Sequence, residues 1–270
     1  MKVDLHTHTT ASDGQLSPGE LLGAACDEGV SLLAITDHDT LAGYDALPPR
    51  EGLTIVPGIE LSTTWCGRSI HVVGLGFGLD DAGLAEAIRR QRRARQRRAE
   101  IIADRLAKRG FAVQLDDILA IAGAAAPGRP HFAQYLVESG QVRDLRTAFK
   151  KHLGAGKAGD VKTLWPELAS AVEYIRDAGG VGVLAHPDKY RMTRRKLESL
   201  AEDFAAAGGR CIEIVCGRVT PAVTATLAEL AGRFSFSVSL GSDFHAPTPW
   251  SRPGVDAAVI GQCTPVWDAW

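Results

Sequence analysis

The sequence predicts an α/β fold of parallel β/α units arranged as a barrel, interrupted by a helical insertion. Three observations predict it. Short apolar runs rich in β-branched residues alternate with helical patterns. The 270 residues, 45% of them hydrophobic, suit one large barrel domain able to bury its core. The alternation lapses over a single stretch, residues 81–160, which reads as helices only.

Strands are expected at Val3–Thr7, Leu32–Thr36, Thr54–Pro57, Ile70–Leu75, Val181–Ala185, Cys211–Val215 and Phe236–Leu240. A helix over Pro18–Glu28 opens with Ser17 as N-cap and Glu20 three positions on, and closes at Gly29. Further helices are expected at Leu168–Ala178, Arg194–Ala207 and Ala222–Gly232, the first two ended by paired glycines. Residues 1–80 and 161–270 are thus assigned to the barrel, and 81–160 to an insertion that contributes to substrate binding. The insertion is read as a long basic helix over Ala82–Arg109, then Pro130–Ser139 and Asp144–His152.

A net charge of −2 gives no global field demanding nucleic acid or an anionic membrane. No run of about 18 apolar residues predicts a membrane span, and MKVDLHTHTT lacks the apolar stretch of a secretory signal. The five cysteines are scattered, without a C-x-x-C, and are read as reduced thiols. Together these features predict a cytoplasmic protein. No protein partner is inferred.

Six of the eight histidines fall at or near strands. His6 and His8 end the first strand at i, i+2 spacing, which points both to one side. His38 follows the second, Glu60 the third, His71 lies on the fourth and His186 ends the fifth. Asp243 and His245 follow the last, and Asp13 lies in the loop after His8. The carboxyl ends of parallel barrel strands are where active sites form. Convergent imidazoles would leave buried nitrogens unpaired and convergent carboxylates would repel; divalent cations resolve both costs. Nine candidate ligands suit two or three ions, with Glu60 as a natural bridge. The absence of thiolates favours Mn, Fe or Zn over a closed structural zinc site.

The segments DLHTHTTASDG, ITDHDT, PGIELS, IHVVGLG, AHPDKY and GSDFHAP resemble the polymerase-and-histidinol-phosphatase (PHP) family of metal phosphoesterases, in order and over nearly the whole chain. GRPHF, LVESG, DLRTAFKKHL and GKAGDV resemble its branch of 3′,5′-nucleotide bisphosphate phosphatases and RNase AM-like 5′→3′ exoribonucleases. The resemblance implies a distorted (β/α)7 TIM-like barrel and a three-metal centre, commonly of manganese. It implies His6, His8, Glu60 and Asp243 for the first ion, Glu60, His71 and His186 for the second, and Asp13, His38 and His245 for the third.

Residues 89–109 hold ten Lys/Arg against only Glu100 and Asp104. Most belong to a solvated face, but Arg95 and Arg98 share a helical stripe with Leu84, Ile88, Ile102 and Leu106. Arginines in an apolar stripe call for an anion, and their forks suit phosphate. Arg129 and His131 stand at a helix N-terminus, where an anion is favoured. Lys157, in LGAGKAGD, is a further phosphate candidate, and His131 a candidate general acid or phosphate donor. His152 is read as a surface residue, and Asp37 as an orienting neighbour of His38. Trp65, Trp165 and Trp250 are read as core or rim residues.

The sequence therefore predicts an enzyme in which a metal-bridging hydroxide attacks phosphorus in line. The expected reaction removes the 3′-phosphate from a nucleoside 3′,5′-bisphosphate. The alternative is 5′→3′ cleavage of short 5′-phosphorylated RNA. A minor alternative, a non-catalytic metal-binding module, typically loses ligands, and all nine are present.

Overall fold

The computed structural model describes residues 1–45, 47–162 and 164–270. Its strands are β1 (Lys2–Asp4), β2 (Val30–Ile35), β3 (Thr54–Trp65), β4 (Arg68–Leu75), β5 (Val181–Leu184), β6 (Cys211–Cys216), β7 (Ser237–Gly241) and β8 (Val255–Asp256). They form one sheet in the order β7-β6-β5-β4-β3-β2-β1-β8. The residues just after β1 return to those around the end of β7: Leu5 N–H donates to Leu240 O at 2.9 Å, and Asp243 N–H to His6 O at 2.8 Å. The sheet thus curls into a nearly closed, TIM-like barrel.

Of the strands expected from the sequence, one departs from the parallel arrangement, and the added β8 is also antiparallel, to β1. β4 runs antiparallel to both β3 and β5. Cys66 and Gly67 stand at φ 47° and 68°, the left-handed pair that a two-residue hairpin turn requires. β3 continues to Trp65 instead of stopping at Pro57, so Glu60 lies within the strand and not beyond it. Because β4 is reversed, His71 sits near its start, opposite Ser62, and so reaches the same rim as the carboxyl ends of the others.

Helices α1 (Pro18–Asp27), α6 (Leu168–Asp177), α7 (Arg194–Ala206) and α8 (Pro221–Phe234) pack outside the sheet. α1 has the expected capping box between Ser17 and Glu20. Between β4 and β5 lie α2 (Ala82–Ala107), α3 (Leu115–Ala122), α4 (Arg129–Glu138) and α5 (Leu145–Ala148), which passes into a π-helical turn over Phe149–Leu153. α3, whose apolar residues fall among acidic ones, is absent from the sequence expectation. This region has its own apolar cluster, including Ile102, Leu106, Ile118, Phe132, Leu136 and Leu153, apart from the larger one around Ile59, Val72, Phe204 and Ile212. Among the described residues no helix is long and apolar enough to cross a membrane.

Candidate functional site

β3 drives Glu60 into the barrel mouth, and five imidazoles gather on its carboxylate. Oε1 lies 2.7 Å from His71 Nδ1 and 2.8 Å from His186 Nε2. Oε2 lies 3.2 Å from His6 Nε2, 3.3 Å from His8 Nε2 and 3.0 Å from His38 Nδ1. Asp243 Oδ1 approaches His8 Nε2 at 3.2 Å and His6 Nε2 at 3.5 Å. Asp13 stands 3.5–3.8 Å from His8, His38 and His245. All nine residues singled out in the sequence therefore meet at one rim.

The donor geometry fits cations. Glu60 Oε2 and the three imidazole nitrogens facing it are buried and have no hydrogen-bond partner despite their proximity. Four buried polar atoms that converge without a hydrogen bond are costly unless a cation sits among them. Among the described residues, four groups place ligand atoms close enough to share an ion: His8, Asp13, His38 and His245; His6, Glu60 and His186; His38, Glu60 and His71; and His6, Cys216 and Asp243. Glu60 belongs to two of them. Cys216 was not among the sequence candidates; it is buried beside His6, and burial and the Glu213 carboxylate push its thiol well up.

Behind these residues lies a layer that the sequence does not advertise. Glu213, buried on β6, sets Oε1 3.1 Å from His6 Nδ1 and accepts the His186 backbone N–H at 2.7 Å. Gly241 makes this approach feasible, because a Cβ there would lie 2.3 Å from His6 Cβ and 2.7 Å from Glu213 Oε1. Asp37 accepts from Thr9 N–H and Thr9 Oγ1–H at 2.7 and 2.6 Å, which ties down the loop between His8 and Asp13 rather than His38. Asp39, His186 and Asp243 hold positive φ of 56°, 29° and 52°, strain of about 1–3 kcal/mol each that sites commonly store. Glu213→Gln should weaken metal binding or turnover about 10–100-fold while leaving the fold intact. Metal titration of the variant beside its circular dichroism spectrum checks this.

Protonation also favours cations at higher pH. Burial opposes charge on His8, but the Asp243 and Glu60 carboxylates push its imidazole up to about 10. The same carboxylates, with Glu213, hold His6 well above its ordinary value against burial. A cation must displace those protons. Metal affinity should therefore rise between pH 6.5 and 8.5, by about tenfold per unit for each proton displaced. Calorimetric titrations at both values test this, and a dissociation constant independent of pH would contradict it.

Beside the cluster opens a cavity of about 90 Å³ whose lining includes Asp13, His38 and His71 as well as Arg95, Arg98 and Arg129. Arg95 and Arg98 are buried on α2, on the expected stripe. Asp39 Oδ2 accepts from Arg95 Nε at 2.6 Å, and Arg98 Nε donates to Val161 O at 2.9 Å. Trp165 is not merely a rim residue: both guanidinium carbons lie over its ring, 5.4 and 5.3 Å from the centroid. Burial, Arg129 and Arg95 push Arg98 down to about 9, and burial also lowers Arg129. Three crowded guanidiniums would be relieved by an anion.

The N-terminus of α4 faces this cavity through Gly128, Arg129 and Pro130. His131 Nδ1 accepts the Gly128 N–H at 2.9 Å, and burial lowers its imidazole. A neutral ring protonated on Nε2 suits a hydrogen-bond donor better than an acid. Lys157 departs from its expectation: it is exposed and outside the lining of this cavity. The glycines around it bring the backbone of Gly159, not the lysine side chain, to Arg98. His152 packs edge-on against Phe111, and Trp250 is 74% exposed.

The PHP domain family model matches residues 4–103. A 5′-3′ exoribonuclease of Haemophilus influenzae is 41% identical over 99% of this chain and 98% of its own. The chain belongs to the PHP family. Membership makes it a hydrolase of phosphoric esters that works with bound metal. A 3′,5′-nucleoside bisphosphate phosphatase of Chromobacterium violaceum is 38% identical over 98% of this chain and 95% of its own. The solved structure of a Chromobacterium violaceum amidohydrolase with bound sulfate and no metal superposes on this PHP barrel with a TM-score of 0.91. It is 37% identical and covers 100% of this chain and 95% of that one.

Proposed function

We propose that this PHP enzyme removes the 3′-phosphate from nucleoside 3′,5′-bisphosphates, giving a 5′-nucleotide and inorganic phosphate. The observation that carries the reading is a single cavity lined both by metal-type ligands and by three arginines. A substrate with two phosphates would meet both sets: the reacting phosphate at the cluster, the distal one among the guanidiniums.

The proposed centre holds three ions, of manganese in the first instance, with iron or zinc compatible with the same donors. His6, His8, Glu60 and Asp243 would hold the first, Glu60, His71 and His186 the second, and Asp13, His38 and His245 the third. His8 also lies close enough to join the third set. Such ions supply a low-pKa water and offset the charge of the phosphoryl oxygens.

The chain's own residues do the rest. Arg98 and Arg129, with Arg95 fixed by Asp39, bind the distal 5′-phosphate and so orient the ribose. Trp165 keeps the guanidiniums in place. His131 lies outside the lining of the cavity; its Nδ1 accepts the Gly128 N–H and so holds the turn that carries Arg129. Lys157 is left with a peripheral role at most.

A second reading is 5′→3′ cleavage of short RNA, supported by the relative from Haemophilus influenzae and by the same 5′-phosphate recognition. The two are separated by comparing adenosine 3′,5′-bisphosphate with 5′-phosphorylated di- and tetranucleotides in manganese. The phosphatase reading expects the highest kcat/KM on the bisphosphate. Equal or higher values on the longer substrates favour the nuclease.

A further inference from the structure

The short turn that follows β5 touches ligand residues brought in by three different strands. His186 stands at φ 29°, which takes the chain off the strand. Pro187 then opens a four-residue 3-10 helix, Pro187–Tyr190, which closes at Arg191 with φ 50°. Lys189 N–H donates to His186 O at 3.0 Å. Two left-handed residues other than glycine, one at each end of so short a turn, persist only where the surroundings hold them.

The last two side chains of the turn reach ligands on other strands. The Tyr190 hydroxyl accepts the His71 backbone N–H at 2.9 Å, and its ring lies edge-on to His186 with centroids 5.5 Å apart. Lys189 Nζ donates to Asp243 Oδ2. Asp243 Oδ1 is the oxygen that faces the imidazoles, 3.2 Å from His8 Nε2 and 3.5 Å from His6 Nε2. The two oxygens of one carboxylate are thus divided between an ammonium and the ligand cluster. The Lys189 side chain is 42% exposed and stands outside the lining of the arginine cavity. An ion pair with so exposed a partner adds only about 0–1 kcal/mol to stability. Its consequence lies in what it does to the carboxylate.

Resting on the metal centre proposed above, we propose that Lys189 is a positioning residue for the reaction. It holds Asp243 Oδ2, so that the carboxylate offers Oδ1 alone to a cation and does so with part of its charge already offset. A carboxylate paired in this way is a weaker donor, which leaves more of a bound cation's charge for the phosphoryl oxygens. Without the ammonium both oxygens are free to turn to the cluster. Cations are then held no less firmly, but by a carboxylate in the wrong orientation and with too much charge. The signature is that metal affinity and turnover part company. A residue that only braced the fold would lower both.

The test compares the wild type with Lys189→Met, which keeps the length and removes the charge, and with Lys189→Arg, which keeps the ion pair. Manganese binding is followed through the electron paramagnetic resonance signal of the free ion. Turnover is measured at saturating manganese on adenosine 3′,5′-bisphosphate and on p-nitrophenyl phosphate. Lys189→Met should bind manganese at least as tightly as the wild type, by up to about fivefold, because a like charge has gone. Its kcat should fall about 10–100-fold with KM within about twofold, and Lys189→Arg should recover kcat to within about threefold of the wild type. Manganese binding weakened by more than about twofold in Lys189→Met overturns the proposal, and so does a wild-type kcat. A rise in KM with kcat kept also overturns it, since Lys189 would then be a substrate contact. If the wild type turns over p-nitrophenyl phosphate but not the bisphosphate, the nucleotide reading falls, and the same comparison on p-nitrophenyl phosphate decides for or against Lys189. A wild type that binds no manganese removes the centre and the proposal with it.

Discussion

Glu60→Gln should strip the centre of metal and lower kcat/KM by about three orders of magnitude, about 4 kcal/mol of transition-state stabilisation. The size of the effect follows from the number of groups that depend on this carboxylate. Five imidazoles lie within 3.3 Å of its two oxygens, and it belongs to two of the four groups able to share an ion. Glutamine has the same shape and can still accept from His71 or His186, so the barrel should fold. It cannot supply the second anionic oxygen that His6, His8 and His38 face. The check is metal content by elemental analysis together with turnover in manganese. Full metal content with normal turnover would remove Glu60 from the centre.

Arg98→Ala should cost about 10–100-fold in kcat/KM on adenosine 3′,5′-bisphosphate, as expected for a charge-assisted contact to phosphate. It should cost far less on adenosine 3′-monophosphate, which lacks the distal group. The comparison matters because Arg98 also ties down the Val161 and Gly159 carbonyls. Losing those bonds would disturb the cavity wall and harm both substrates. Equal losses would mean that Arg98 is a structural brace or touches the reacting phosphate. A fall confined to the 5′-phosphorylated substrate separates binding from bracing.

What was legible in the sequence is what periodicity and residue type encode. The strand rhythm placed His6, His186 and Asp243 at strand ends, because a buried parallel strand reads as an apolar run with a polar stop. The stripe on α2 singled out Arg95 and Arg98, since a 3.6-residue period shows which charges must be buried. The reversal of β4 was not legible. The sequence reads β3 only as far as Pro57, and the turn at Cys66 and Gly67 begins nine residues later. The π-helical turn after Ala148 was likewise read as plain helix, because the two share their residue preferences. Glu213 was hidden for another reason: inside CIEIVC it looks like a lone charge in a strand, and its partners His6 and His186 are distant in sequence. A carboxylate buried in the middle of an apolar strand is the signal that could have found it. Asp39 and Trp165 escaped because their meaning depends on packing against α2, which no local pattern conveys.

The account rests on cations being held where the imidazoles and carboxylates converge, with a phosphate pocket beside them. The most direct measurement is an anomalous difference map, recorded at the manganese edge, from a crystal soaked with manganese and adenosine 5′-monophosphate. The account predicts peaks within coordination distance of Glu60 Oε1 and Oε2 and of the Asp13–His38–His245 group, and a 5′-phosphate among Arg95, Arg98 and Arg129. A map with no peak against Glu60, or with the nucleotide phosphate bound away from the three arginines, would contradict it.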